Sequence, residues 1–225
     1  MTRPLVIFGA GGHGREVLQL VRDINAAGPQ PAWDCLGFLV DGAFLARAPA
    51  TVGGLPVLGD PTWLAAHPEV SVALAIGAPA ARRLAARRIR ALGSNPFPVL
   101  VHPRAWIGAN VTLGEGTLVC AGAMLTVDIT VGAHVHLNVA STLAHDDLLE
   151  DFVTLSPGVH VAGNVVLGEG AELGVGCAVI PRCTVGAWSV LGAGAVVTGA
   201  IEANCTAVGA PARAVKRRAP GWHES

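Results

Sequence analysis

The sequence predicts a chain of two parts: a small α/β domain at the N-terminus and an all-β solenoid of short strands from about Val101 onward. Three features carry this reading. The chain opens in the order strand, glycine turn, helix; its second half has an aliphatic residue at every sixth position; and the periodicity changes abruptly between the two. At 225 residues it is long enough to bury a sizeable core in one or two domains. With 52% hydrophobic and 14% charged residues it is no disordered chain, and its 29 glycines lack the triplet spacing of collagen.

Leu5 to Phe8 reads as a first strand, followed by a Gly-rich turn and a helical stretch through Val17, Leu18, Leu20 and Val21. Cys35 to Val40 reads as a second strand ending at Asp41. After Gly53 to Gly59 come a short helix near Thr62 to His67, a buried strand Val72 to Ile76 and a basic helix from Ala80 to Leu92. The β-α-β order implies a small parallel α/β domain.

From Val101 every sixth residue through Val197 is Val, Ile or Leu, seventeen in succession without a slip of frame. Were a third of all residues aliphatic, chance would give this on the order of once in a hundred million sequences. Gly follows the aliphatic residue at 108, 114, 132, 168, 174, 186 and 192. Neither a 3.6-residue helix nor strand alternation produces such a period. A solenoid does: each hexad lays one aliphatic side chain inward and then turns a corner where a small residue is tolerated. Three hexads make one triangular coil, so residues eighteen apart stack at the strand spacing of about 4.8 Å.

Net charge is −1, which argues against a partner that demands many phosphate contacts, so no nucleic acid is expected. Five cysteines without a C-x-x-C pair read as reduced thiols. The mean hydropathy of +0.52 raises the question of a membrane span, and Cys183 to Ile201 is uncharged. That window is broken by Gly186, Gly192, Gly194 and Gly199, so no membrane insertion is expected. The apolar run at the N-terminus is too short for a signal peptide, and the expectation is a soluble cytoplasmic protein.

The hexad pattern behind an α/β domain resembles the left-handed β-helix sugar acyltransferases of the sialic-acid O-acetyltransferase type and of the bacillosamine and perosamine N-acetyltransferase type. The likeness runs from Val6 to about Val215 and includes the closing Gly209-Ala-Pro-Ala-Arg213. It implies an α/β N-terminal Rossmann-like domain over 1–98 that binds a nucleotide sugar. A left-handed parallel β-helix acyltransferase domain over 99–212 and a basic tail over 213–225 complete the chain. Acetyl-CoA as co-substrate, no metal and a homotrimer with CoA between subunits are implied as well.

Acetyl transfer to an amine or hydroxyl needs a base, and His suits that near neutral pH. His145 is the candidate, with Asp146 to fix its tautomer. The family's motif places its catalytic His and acid here, and Asn138 matches a family Asn, which implies a catalytic role in orienting the pair. The resemblance implies CoA contacts at Gly163, Val175, Ala193 and Arg213, with small residues allowing a thin arm to lie against the backbone. His134, His136 and His160 carry less weight than His145; His136 stacks on Thr154 eighteen residues later, where the resemblance places a second family His, and either side chain is a substitute for it, a surface His136 being the commoner reading. A metal-dependent β-helix chemistry with three converging histidines stands as an alternative.

Gly9-Ala-Gly11-Gly12-His13-Gly14 follows a strand and opens a helix, where backbone N–H groups meet a diphosphate. On this motif alone an NAD-dependent oxidoreductase must be considered, but the domain is about half of a full dinucleotide fold. The resemblance implies instead that Gly11, Gly12, His13, Asp41 and Gly77 bind the nucleotide sugar. The run Arg82, Arg83, Arg87, Arg88 and Arg90 reads as a solvated helix face. The expected reaction is direct N-acetylation of a nucleotide-linked amino sugar. A sugar O-acetyltransferase and a non-catalytic nucleotide-sugar or dinucleotide-binding protein are the alternatives.

Overall fold

The computed structural model describes residues 2–224. Strand β1 (Arg3–Phe8) runs into helix α1 (Gly12–Ala27), which buries Val17, Leu18, Leu20 and Val21 against the sheet. Strand β2 (Trp33–Leu39) and the single-turn helix α2 (Gly42–Leu45) follow. The hairpin of β3 (Thr51–Val52) and β4 (Leu55–Gly59), strand β5 (Ser71–Leu74) and helix α3 (Pro79–Leu92) complete the domain. The helix expected near Thr62 is a tighter 3-10 turn, Pro61–Ala66, capped by the Asp60 side chain accepting from the Thr62 N–H at 2.9 Å. Sheet order is β3-β4-β2-β1-β5, with β1 parallel to both β2 and β5. The C-terminal ends of β1, β2 and β5 therefore open together at one end of the sheet.

From Leu100 the chain becomes a parallel β-helix of two-residue strands, each residue pairing with the residue eighteen positions on. Three faces result. One begins at Leu100–Val101 and includes His136–Leu137; the second begins at Trp106–Ile107 and includes Thr142–Leu143; the third begins at Thr112–Leu113 and includes Leu148–Leu149. The inward column is buried from Val119 to Val197, and only Val101, Ile107 and Leu113 at the open end are partly exposed.

The corners differ from the sequence expectation. The recurring glycine after each inward residue does not bend the chain; it sits where the next coil's backbone passes. A Cβ on Gly108 would lie 1.8 Å from the Thr126 carbonyl oxygen, a contact no side chain survives. The bend falls two positions later. From Asn110 to Gly194 every sixth residue is left-handed, with φ between 55° and 70°. Because three corners recur in turn, each edge of the prism has its own column of left-handed residues. The edge between the first and second faces carries Gly122, Ala140, Gly158, Gly176 and Gly194; that between the second and third carries Asn110, Asp128, Asp146, Asn164 and Arg182. The remaining edge carries Gly116, His134, Phe152, Gly170 and Trp188. Asn and Asp are among the few side-chain-bearing residues that adopt this conformation routinely, which accounts for much of the second column.

The α/β domain covers the first face: Leu100 and Leu118 belong to the same apolar cluster as Leu5, Val17 and Phe38. His134 is buried between Phe97, edge-on at 4.7 Å, and Phe152, stacked at 5.1 Å. Desolvation pushes its pKa down to about 4, so it is neutral in the folded protein. A histidine held below its unfolded value stabilises fully above pH 6.5 and loses that contribution as pH falls toward 4. Wild type should lose roughly 2 kcal/mol from this residue by pH 5. In urea unfolding at pH 5 and pH 7.5, His134→Phe should show a smaller loss than wild type on acidification.

The residues expected as a basic tail form a strand, Arg213–Arg217, antiparallel to Cys205–Val208 at the end of the first face. Beyond it His223 stacks on Trp188 with ring centroids 3.7 Å apart. No helix among the described residues is long and apolar enough to cross a membrane.

Candidate active site

The second-to-third edge holds the expected base. His145 and Asp146 are more than half exposed, and His145 Nδ1 lies 2.7 Å from Asp146 Oδ2. The carboxylate accepts from Nδ1, leaving Nε2 with its lone pair directed away from the partner, the tautomer a general base requires. Asn164, stacked eighteen residues after Asp146, brings its amide to 3.4 Å from the same Nδ1. The sequence signal for that neighbour was the eighteen-residue count, which pairs the two positions on one edge. Asp147 turns inward, accepting from the Ala144 and Val165 N–H groups at 3.1 and 2.9 Å. Burial pushes its pKa up to about 7.

Gly163 lies directly against the His145 imidazole. A Cβ there would come within 2.6 Å of His145 Cε1 and Nε2, so the bare backbone makes room for the imidazole. Its φ is not left-handed, and alanine suits the backbone. Gly163→Ala should therefore keep the fold, with a thermal midpoint within a few degrees of wild type, while displacing the ring. A displacement near 1 Å costs about 100-fold in kcat, measurable by release of free CoA thiol.

Asn138 sits elsewhere. Its amide donates to the Leu155 carbonyl at 2.7 Å, on the edge between the first and second faces, one face away from His145. Val175, 56% exposed, and exposed Ala193 share that edge, and Arg213 follows the turn that closes it. Cβ atoms built on Gly158, Gly176 and Gly194 would meet nothing within 4 Å, so the edge is a strip of bare backbone flanked by apolar side chains. Such a strip fits a thin pantetheine arm. The expected residues thus divide within one chain: His145, Asp146 and Gly163 on one edge, Asn138, Val175 and Ala193 on another.

The N-terminal residues gather at the end of the sheet. A cleft of about 520 Å³ opens between the Gly9–Gly11 turn, Phe8, Val40, Asp41 and α3. The glycines of the turn divide by cause. Gly9 and Gly14 are packing glycines: a Cβ on Gly14 would lie 2.0 Å from the Gly9 carbonyl oxygen. At Gly11 and Gly77 a Cβ would meet nothing within 4 Å, and at Gly12 only the tip of Arg15 at 3.9 Å. The protein itself does not require bare backbone at these three positions, and it leaves room for a ligand beside the helix N-terminus. Asp41 accepts from Arg88 at 2.7 Å and caps α2 through the Ala43 N–H at 3.0 Å. His13 lies 3.0 Å from Glu16 through Nδ1 and 3.3 Å from His136 through Nε2.

Two expectations need correction. Arg82 is fully buried, because helical spacing aligns it with Ala85, Ala86 and Ile89 on the inward stripe of α3. His136 is 1% exposed, because the α/β domain covers the coil face that carries it. It stacks on Thr154 as the count of eighteen implied. With His134 and His136 under the domain and His145 on a far edge, the three histidines do not converge. Among the described residues no three His, Cys, Asp or Glu side chains are placed to hold a metal.

A parallel β-helix with a His–carboxylate pair on one edge and a bare strip on another, joined to a glycine-turn α/β domain, defines the class of left-handed β-helix acyltransferases. The PglD N-terminal domain family matches residues 4–89. PerB from Caulobacter crescentus, solved with CoA and GDP-perosamine, is 32% identical with a TM-score of 0.83 and covers 94% of this chain and 96% of its own. The acetyltransferase domain of PglB from Neisseria gonorrhoeae FA1090, solved with acetyl coenzyme A, is 31% identical with a TM-score of 0.83, covering 96% of this chain and 100% of its own. GDP-perosamine N-acetyltransferase of Escherichia coli O157:H7 is 29% identical over 218 residues, 94% of this chain and 96% of that protein. The chain belongs to the bacillosamine and perosamine N-acetyltransferase family.

Proposed function

We propose that the protein transfers an acetyl group from acetyl-CoA to the amine of a nucleotide-linked amino sugar. The observation that carries this is the His145–Asp146 pair, whose hydrogen bond at Nδ1 frees Nε2 on an exposed edge. His145 takes a proton from the sugar amine as its nitrogen attacks the thioester carbonyl. The tetrahedral intermediate then collapses, the C–S bond breaks, and the proton passes from His145 to the departing CoA thiolate. Direct transfer is supported by the cysteines: burial pushes the thiols of Cys35 and Cys120 up to about 11, and Cys177, Cys183 and Cys205 are buried. The cleft beside Gly11, Gly12 and Gly77 takes the nucleotide and diphosphate.

The division of the site between two edges supports a homotrimer in which the bare edge of one subunit lies against the His145 edge of the next. The second face lies between those edges and exposes Trp106 at 54% and Met124 at 48%, apolar surface that a neighbouring subunit would cover.

The test is a panel of GDP-, UDP- and dTDP-linked sugars incubated with acetyl-CoA, read by release of free thiol. An amino sugar should release CoA above background while its hydroxyl counterpart does not. Release with no member of the panel would overturn the reading.

A further inference from the structure

Arg82 is the largest fully buried side chain, and it joins the two halves of the molecule. Its five N–H protons meet five acceptors at 2.8 to 2.9 Å. On the α/β side Nη1 donates to the Ile76 and Gly77 carbonyls. On the coil side Nε donates to the His134 carbonyl, and Nη2 to the Phe152 carbonyl and Thr154 Oγ1. Thr154 passes its own hydroxyl proton back to the Gly77 carbonyl at 3.1 Å. The guanidinium also lies 3.4 Å from His136 Nδ1. With every Arg82 proton committed to a shorter bond, a ring nitrogen facing that cation is favoured as a lone pair. Burial and Arg82 together hold His136 neutral. The lone pair accepts from His13 Nε2 at 3.3 Å. His13 also lies 3.0 Å from Glu16 through Nδ1, so its ring is held on both sides beside Gly11 and Gly12 at the open N-terminus of α1.

We propose that Arg82 and His136 are positioning residues for the nucleotide sugar: they fix the Gly77 turn and His13, two elements of its site, against the coil that carries the transfer chemistry. This rests on the reading of the cleft as the nucleotide-sugar site. The brace reaches both elements from behind and touches neither His145 nor the glycine edge, so its loss loosens nucleotide binding without altering the CoA strip. Lysine cannot replace Arg82, having three donors for five acceptors.

The test is calorimetric titration of the protein with GDP, UDP, dTDP and CoA. For Arg82→Lys, the dissociation constant of whichever nucleoside diphosphate wild type binds most tightly should rise tenfold or more, while that of CoA stays within twofold. His136→Leu removes the acceptor for His13 while leaving the five short Arg82 bonds in place, and keeps the test in force if the lysine variant does not fold. It should weaken the same nucleotide several-fold, and adding His13→Ala should weaken it no further. Unchanged nucleotide affinity in the folded variants, or parallel loss of nucleotide and CoA affinity, overturns the positioning role alone. Wild type that binds none of GDP, UDP and dTDP overturns the reading of the cleft and the proposal with it.

Discussion

His145→Ala should lower kcat for acetyl transfer by about a thousandfold, within the range that a positioned general base contributes. The side chain is exposed, and its ring bonds are to Asp146 and Asn164 on the same edge, so the fold does not depend on it. Calorimetry should find CoA and nucleoside diphosphate bound as tightly as in wild type. Asp146→Asn should cost a comparable factor, because an amide at that position can donate to Nδ1 and move the ring proton to Nε2, the tautomer that cannot act as a base. Full activity in His145→Ala would assign the base to another residue.

The second large effect separates two glycines three residues apart. Gly14→Ala places a methyl group 2.0 Å from the Gly9 carbonyl oxygen, in the tight passage from β1 to α1 where only backbone can yield. A loss of about 3 kcal/mol or more is expected, or roughly 10 °C in thermal midpoint. Gly11→Ala meets no neighbour, and its φ of −82° suits an alanine, so the midpoint should hold within two degrees. Its methyl group instead occupies the space beside the helix N-terminus. The nucleoside diphosphate dissociation constant should rise tenfold or more, read by the same calorimetry. Equal destabilisation by the two substitutions would mean that Gly11 is a packing residue and not part of a binding site.

The contrast bears on how much of this protein can be read without coordinates. A fixed six-residue frame determines which side chains enter the coil core, and it placed Leu137, Leu155 and Val185 correctly because each hexad repeats the same local geometry. The same frame, counted in eighteens, puts Asn164 beside Asp146. What it does not report is docking. Arg82 and His136 looked like surface residues because both sit in patterns that elsewhere face solvent, the basic side of a helix and the outer position of a short strand. They are buried because two domains meet there, and neither domain's periodicity encodes that contact. The bend position is hidden from the sequence for a related reason. Glycine marks both a left-handed corner and a close approach, and only the backbone shows that Gly108 serves the second purpose.

The column of left-handed residues along each edge also sets how length can change in this chain. Eighteen residues are one full circuit, so gaining or losing that many alters the height of the prism and leaves every downstream side chain on its own edge. A change of six keeps the aliphatic column intact but carries everything beyond it one face around, moving His145 to a different corner if the change precedes it. Eighteen is accordingly the natural unit of insertion or deletion between the α/β domain and the His145 edge, and hexads taken singly are not interchangeable with it.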